Sequence, residues 1–218
     1  MIHVICTKWG IMYPSEYVNK LFKGIQRNTT KEFSFTCFTE ISNGIEHPEI
    51  KVEPLPNYTG DWYSKIGLYN KDLYSKDDQI FYFDLDTVIT GSLDEIFDYK
   101  GNFIILKDPY NNDKYGSGLM SWQPEAVAHM WDNYKVGYKH PRGDQAWCEE
   151  QYPGADLWQD FFPNKIISYK ANIRDSARPK RSYQTQDKGN LDTASIVYFH
   201  GKPRPHEVRN LEWMIKNW

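Results

Sequence analysis

Residues 79–90 have the sequence QIFYFDLDTVIT, an apolar and aromatic run that ends in two carboxylates shortly before Gly91. A short apolar run bounded by polar residues and glycine is typical of a buried strand. Asp84 and Asp86 therefore follow the C-terminal end of a predicted strand. Open α/β sheets bind their ligands at this end of their strands. The stretch predicts both a central strand and a ligand site.

The spacing of Asp84 and Asp86 restricts what can bind beside them. Two carboxylates this close repel each other unless a cation or a shared proton compensates their charge. Mg²⁺ and Mn²⁺ prefer oxygen ligands and commonly bridge protein carboxylates to substrate phosphates. The pattern therefore indicates a divalent-cation site. The alternative is a solvated carboxylate pair at an ordinary turn.

Strand and helix patterns alternate in the first half of the chain. Residues 3–7, 33–38 and 50–55 have the apolar patterns of short strands. A one-sided helical stripe between the first two comprises Tyr17, Val18, Leu21, Phe22 and Ile25. A second helical stripe, which leaves Lys65 outside the apolar face, comprises Trp62, Ile66, Tyr69 and Leu73. This alternation predicts an α/β fold with a mixed, mainly parallel central sheet flanked by helices.

The second half is less regular. Its strand patterns lie at residues 103–106, 116–122, 166–169 and 195–199. Pro124 suits the first turn of a helix. Residues 172–190 contain five Lys and Arg side chains and few aliphatic ones, which predicts a loop or lid.

Composition excludes several classes of protein. The 218 residues carry a net charge of −3 and no run of Lys or Arg, so a nucleic-acid partner is not expected. Cys6, Cys37 and Cys148 form no CxxC pair, which predicts reduced thiols and a cytoplasmic location. We find no signal-peptide pattern and no membrane-spanning run of about 18 apolar residues.

A histidine and a lysine follow the last predicted strand, as His200-Gly201-Lys202. Imidazole is a good ligand for ions of the Mn²⁺ class, and a lysine ammonium can bind phosphate as a point charge. A histidine in this position is also common as an ordinary polar strand end. Its combination with Asp84 and Asp86 favours a metal ligand.

Several motifs together resemble the nucleotide-sugar-dependent glycosyltransferases of the GT-A fold, closest to the family-8-like type of glycogenin and bacterial galactosyltransferases. FYFDLDT at residues 81–87 is similar to that family's hydrophobic strand with its DxD motif, and VITGSLDEIF at 88–97 to the continuation of that strand. The other matching segments, in family order, are WYSKI (62–66), GSGLM (116–120), GDQ (143–145) and YFHGKP (198–203). The compact chain would also suit a virus-encoded member, or one domain of a longer protein.

The resemblance implies one GT-A domain over residues 1–218, with a nucleotide-binding half (1–97) and a half for the sugar and the acceptor (98–218). It implies a metal-dependent hexosyltransferase that moves a hexose-type sugar from a nucleotide diphosphate, by family preference UDP. The acceptor would be a glycan, a glycoprotein or another hydroxyl compound, as in glycan biosynthesis. Two departures are Gly116, where the family has Asn, and the short spacing from His200 to Lys202.

The resemblance also implies roles for individual residues. Those expected around the nucleotide and its sugar are Thr7, Lys8, Trp9, Tyr13, Lys65, Asp84, Leu85, Asp86, Ser117, Gly118 and Lys202. Thr7, Lys8, Trp9 and Tyr13 would surround the uracil and ribose, and Lys65 and Lys202 would face the nucleotide and its diphosphate. Asp84, Asp86 and His200 would hold Mn²⁺ or Mg²⁺.

The pair Asp144-Gln145 would lie beside the transferred sugar as the catalytic pair. In a retaining reaction, which the family pattern favours, Asp144 would steady positive charge on the sugar ring. In an inverting reaction it would be the general base. Asp144 is also a good candidate for a helix N-cap.

Three other functions remain open. The DLDTV segment at residues 84–88 also fits the signature of haloacid-dehalogenase-type phosphatases, in which the first Asp is the nucleophile. That motif normally lies on the first core strand, whereas three predicted strands precede it here. The other two alternatives are a catalytically inactive sugar- or nucleotide-binding module of the same fold and a metal-independent enzyme.

Overall fold

A computed structural model describes residues 1–135, 137–174 and 189–218, so most of the predicted loop or lid lies outside the described residues. The strands are Ile2–Lys8 (β1), Ser34–Thr39 (β2), Ile50–Glu53 (β3), Gln79–Phe83 (β4), Thr87–Ile89 (β5), Phe103–Lys107 (β6), Tyr115–Trp122 (β7), Asp156–Leu157 (β8), Ile166–Ser168 (β9) and Ile196–Tyr198 (β10). The α-helices are Glu16–Arg27 (α1), Asp94–Phe97 (α2), Pro124–Asp132 (α3), Asp144–Gln151 (α4), Trp158–Phe161 (α5) and Glu212–Asn217 (α6). Further helical segments are the 3-10 helices Trp62–Tyr69, Lys71–Leu73 and Pro205–Val208 and the π-helix Tyr169–Arg174.

The main sheet has seven strands in the order β3-β2-β1-β4-β7-β6-β8. Strands β3, β2, β1 and β4 are parallel, and β7 is antiparallel to both of its neighbours. The edge strand β8 is parallel to β6. The predicted mixed, mainly parallel sheet is therefore confirmed.

Apolar side chains cover both faces of this sheet. One core cluster joins Phe22 of α1 and Phe97 of α2 to Phe81 of β4. A second cluster on the other face joins Tyr82 to Trp122 and to Trp147 of α4. Strand β4 is buried along its whole length because both faces are covered, which explains its unbroken apolar sequence.

The chain changes sheet directly after β4. A turn closes where the backbone N–H of Thr87 donates to the carbonyl of Asp84 (3.2 Å), and β5 then pairs with β10 in a second, three-stranded sheet. Asp84 and Asp86 therefore lie in the connection between the two sheets. No helix in the described residues has both the length and the apolar character needed to span a membrane.

Candidate active site

A cavity of about 450 Å³ opens at the C-terminal end of β4. Both halves of the sequence, residues 1–97 and 98–218, contribute to its lining. The lining includes residues at the end of β4, the start of β7, the start of α4 and the segment after β10. The predicted site residues that line it are Lys65, Asp84, Asp86, Ser117, Gly118, Asp144, Gln145 and His200. The predicted catalytic pair and the three predicted metal ligands therefore line one cavity.

Lys65 is a buried cation in the lining of this cavity. Its Nζ lies 2.8 Å from Oδ1 and 3.0 Å from Oδ2 of Asp84, and 3.7 Å from Oδ2 of Asp144. Burial disfavours the charged ammonium, but the carboxylates of Asp144 and Asp84 outweigh it and raise the pKa of Lys65. Lys65 is therefore held protonated between two acids.

The position of Lys65 corrects the sequence prediction, which placed it outside the apolar face of an α-helix. Residues 62–69 form a 3-10 helix, in which positions i and i+3 lie on the same side. Trp62 and Lys65 therefore both reach the cavity, and Lys65 is only 4% exposed. The N-cap Asp61 begins this helix by accepting a hydrogen bond from the backbone N–H of Tyr63 (3.0 Å).

Tyr82 orients Asp84. Its hydroxyl lies 2.6 Å from Oδ1 of Asp84 and 2.9 Å from Oγ1 of Thr7. Thr7, predicted near the uracil and ribose, is buried and supports this chain of hydrogen bonds. Tyr82 was missed because the sequence shows it only as one more aromatic residue in an apolar strand.

Asp86 is a buried carboxylate whose charge is incompletely compensated. The hydroxyl of Tyr13 donates to its Oδ2 at 2.8 Å. Burial and the neighbouring Asp84 raise the pKa of Asp86 to about 7. Leu85, between the two acids, is also buried.

A second cavity of about 530 Å³ adjoins the loop after β1. Lys8 and Tyr13 line it, and Nζ of Lys8 donates to the carbonyl of Gly10 (3.3 Å). Trp9 is partly buried and is not among the described residues that line either cavity. Tyr13 connects the two regions because its hydroxyl holds Asp86.

Asp144 is the first residue of α4, and the N-cap is Gly143, so the proposed N-cap role of Asp144 is wrong. Its Oδ2 lies 3.7 Å from Nζ of Lys65, and the side chain is buried. Burial raises the pKa of Asp144, against the opposing effect of Lys65. The carboxylate therefore belongs to the cavity.

His200 and Lys202 are placed differently from each other. Nε2 of His200 lies 2.9 Å from Oγ of Ser168, a buried residue that the sequence analysis did not single out. The His200 ring also meets Tyr110 edge to face, with centroids 5.5 Å apart. Lys202 is exposed and is not among the described residues that line the cavity.

The oxygen donors suit a hard divalent cation, because a buried acid with a raised pKa lies beside a second acid. The described residues contain no cluster of three His, Cys, Asp or Glu side chains arranged to hold a metal ion. Instead, Lys65 forms an ion pair with Asp84, and the hydroxyl of Tyr13 donates a hydrogen bond to Asp86. The donor types therefore fit a metal ion, whereas a preformed three-ligand site is not present among the described residues.

Comparisons with solved structures identify the type of fold. No protein-family model and no curated protein sequence matches the chain. A solved structure of galactosyltransferase LgtC with donor and acceptor sugar analogues has a TM-score of 0.63 at 11% identity, covering 93% of this chain and 88% of that one. The structure of glycosyltransferase GlyE of Streptococcus pneumoniae TIGR4 has a TM-score of 0.62 at 13% identity. The match covers 98% of this chain and 61% of the GlyE chain.

Mouse xyloside xylosyltransferase 1 is also similar, with a TM-score of 0.56 at 13% identity over 92% of this chain and 97% of that one. Identities this low establish the architecture and not the reaction. The predicted resemblance is therefore confirmed at the level of structure. The α/β chain has the GT-A fold that these family-8 glycosyltransferases share.

Proposed function

We propose that the protein is a glycosyltransferase that moves a hexose-type sugar from a nucleotide diphosphate donor, UDP by resemblance, to a hydroxyl of a glycan or another acceptor. The observation that carries the proposal is the cluster of Lys65, Asp84, Asp86 and Asp144 in one cavity of a GT-A fold. A nucleoside diphosphate is an anionic leaving group. The cluster offers it a buried ammonium and oxygen ligands for a cation.

Asp84, Asp86 and His200 would hold the metal ion, which is Mn²⁺ or Mg²⁺ in this proposal. When bound, such an ion acts as a Lewis acid on the departing diphosphate. The raised pKa of Asp86 supports its role as a ligand because a buried carboxylate gains most from an added positive charge.

Lys65 would stabilise negative charge on the departing nucleotide. Its ammonium is fixed by Asp84 and Asp144 before the donor arrives, so little reorganisation is needed during the reaction. Lys8 and Tyr13, at the second cavity, would face the uracil and ribose together with Trp9. Lys202 remains a predicted phosphate ligand in the exposed segment after His200.

Asp144 and Gln145 would act on the transferred sugar, with Ser117 and Gly118 lining its site. A carboxylate beside the sugar ring favours the positive charge that develops there as the C1–O bond breaks. We propose retention, with the leaving phosphate taking the proton of the acceptor hydroxyl. Under inversion, Asp144 would be the base that takes this proton.

The likeness to glycosyltransferases favours sugar transfer over the phosphatase, whose nucleophile would be Asp84. In the structure, Lys65 pairs with both oxygens of Asp84, which suits a fixed ligand better than a free nucleophile. A catalytically inactive module would bind the donor without turnover.

A thermal-shift screen of UDP-, GDP- and dTDP-sugars, with and without Mn²⁺, tests the proposal. A ligand at 100 times its Kd stabilises the folded state by about 2.7 kcal/mol, so the true donor should raise Tm only when Mn²⁺ is present. Mn²⁺ alone and donor with EDTA are the controls. If none of these sugars raises Tm, the proposed donor class is wrong.

A further inference from the structure

Trp62 is a half-exposed aromatic residue at the mouth of the cavity. Its side chain lines the cavity that holds Asp84 and Asp144, yet the residue is 50% exposed. A large aromatic ring with an exposed face beside a cavity offers a flat apolar surface to a ligand.

The indole of Trp62 is held in place on one side. The N-cap residue Asp61, which precedes it, accepts hydrogen bonds from Thr59 Oγ1 (2.6 Å) and Lys139 Nζ (2.6 Å). The pyrrole edge of the indole packs on Gly143, where an added Cβ would lie 2.9 Å from Nε1 of Trp62. Gly143 has a φ of +77° and directly precedes Asp144, so the ring is fixed next to the proposed catalytic residue. A ring already fixed loses little entropy when it binds.

The position of Trp62 distinguishes it from the proposed nucleotide region. Lys8 and Tyr13 lie at the second cavity, on the side of Asp86, whereas Trp62 packs beside Gly143 at the start of α4. A donor whose nucleotide occupies the Tyr13 side leaves the Trp62 side open for the second substrate.

We propose that Trp62 is the stacking platform for the acceptor and that the acceptor is a saccharide, an inference that rests on the proposed function. A pyranose ring has one or more flat faces of C–H groups and a rim of hydroxyls. A fixed indole matches such a face, while Gln145 lines the same cavity and can hydrogen-bond the rim. Stacking on Trp62 would present an acceptor hydroxyl toward Asp144.

Transfer kinetics test this assignment with maltose, lactose, cellobiose and xylobiose as acceptors and the donor found by thermal shift. Trp62→Ala should raise the acceptor KM about tenfold or more, well beyond any rise in the donor KM. Trp62→Phe, which keeps an aromatic ring, should recover part of the loss. Phe161→Ala is the matched control, since Phe161 is 53% exposed and is not among the described residues lining the cavity. An unchanged acceptor KM in Trp62→Ala, or an equal rise in the donor KM, overturns the assignment.

Saturation-transfer-difference NMR with the same disaccharides separates this inference from the proposed function. Wild-type protein should transfer saturation to the C–H protons of at least one pyranose, and Trp62→Ala should lose most of that signal. If the wild type neither binds a nucleotide sugar nor turns one over, the proposed function fails, and the NMR result alone decides the saccharide site. An unaltered signal in Trp62→Ala, or no signal with the wild type, refutes the assignment of Trp62 as the saccharide platform.

Discussion

The ammonium of Lys65 reduces the repulsion among three carboxylates in one cavity. Its Nζ contacts Asp84 at 2.8 Å and Asp144 at 3.7 Å, and Asp86 adds a further electrostatic effect that raises the Lys65 pKa. A lysine buried to this degree is stable only with such partners. The charges of these carboxylates are in turn compensated by the Lys65 ammonium until another cation is bound.

Lys65→Met should therefore destabilise the protein at neutral pH. The expected loss is about 3 kcal/mol, the low end for a broken buried ion pair because the side chain of Asp84 is 29% exposed. The loss should shrink at acidic pH, where the carboxylates become protonated. Urea unfolding at several pH values measures it.

The control for Lys65→Met is Lys71→Met, which breaks the exposed pair of Lys71 with Glu125 (3.0 Å). It should leave the free energy of unfolding nearly unchanged, because both side chains of this pair are exposed to solvent. Equal effects of the two substitutions would show that the charge of Lys65 is not buried among the acids.

Tyr82→Phe tests how Asp84 is positioned. Removal of the hydroxyl deletes the hydrogen bonds to Asp84 (2.6 Å) and Thr7 (2.9 Å) and should cost about 1–2 kcal/mol of stability. It should also weaken Mn²⁺-dependent binding of the donor, measured by titration calorimetry.

Tyr99→Phe is the matched control, because the Tyr99 hydroxyl also donates to a carboxylate, Asp156 (2.7 Å), but neither residue is among the described lining of the cavity. It should lower stability and leave donor affinity intact. Donor affinity that also survives in Tyr82→Phe would contradict a positioning role for Tyr82.

At the level of single residues, the sequence revealed the charges but not their partners. Asp84 and Asp86 could be predicted because an apolar run ends abruptly at them. The roles of Tyr82 and Ser168 could not, since each depends on a neighbour brought close by the fold: Thr7 for Tyr82 and His200 for Ser168.

The elements around the cavity depend on local geometry that periodicity does not show. Apolar spacing correctly predicted the helix around residues 62–69, but its 3-10 form moved Lys65 into the site. Strand β5 directly follows the Asp86 turn and joins a different sheet from β4. The pairing partner of such a short strand is set by long-range contacts, so the sequence could not reveal it.

Glu149 ties the loop before α4 to that helix. Both of its oxygens accept hydrogen bonds from Arg142 (2.6 and 2.7 Å), and Oε1 also accepts from the backbone N–H of Tyr115 (2.7 Å). Burial opposes the charge of Glu149, but these hydrogen bonds outweigh it and lower its pKa.

Glu149→Gln should therefore lower stability at neutral pH by roughly 1–2 kcal/mol. A carboxylate with a lowered folded-state pKa stabilises the protein above its unfolded pKa, near 4.5, and loses that contribution as the pH falls further. The difference between wild type and variant should thus vanish in acid. A difference that is constant between pH 7 and pH 3 would rule out the ion pair as its source.

The fold of the whole molecule was predictable because alternating strands and helices permit few topologies. The parallel pairing of β3, β2, β1 and β4 agrees with that alternation. The meeting of Asp144 and His200 with the Asp84 turn was implied only by the ordered motifs, since the three segments are far apart in the chain. Their shared cavity supports one site assembled from both halves of the sequence.

Under the proposed function, this cavity breaks a nucleotide–sugar bond with the help of a cation. Release of UDP from UDP-glucose and UDP-galactose, measured with Mn²⁺ and with EDTA, tests it. Wild-type protein should release UDP only with the metal ion, and Asp86→Ala should lower the rate at least about a hundredfold, roughly 2.7 kcal/mol of transition-state stabilisation, while it remains folded. UDP release by Asp86→Ala at the wild-type rate, or none by a folded wild type that binds the donor, would refute metal-assisted sugar transfer at this site.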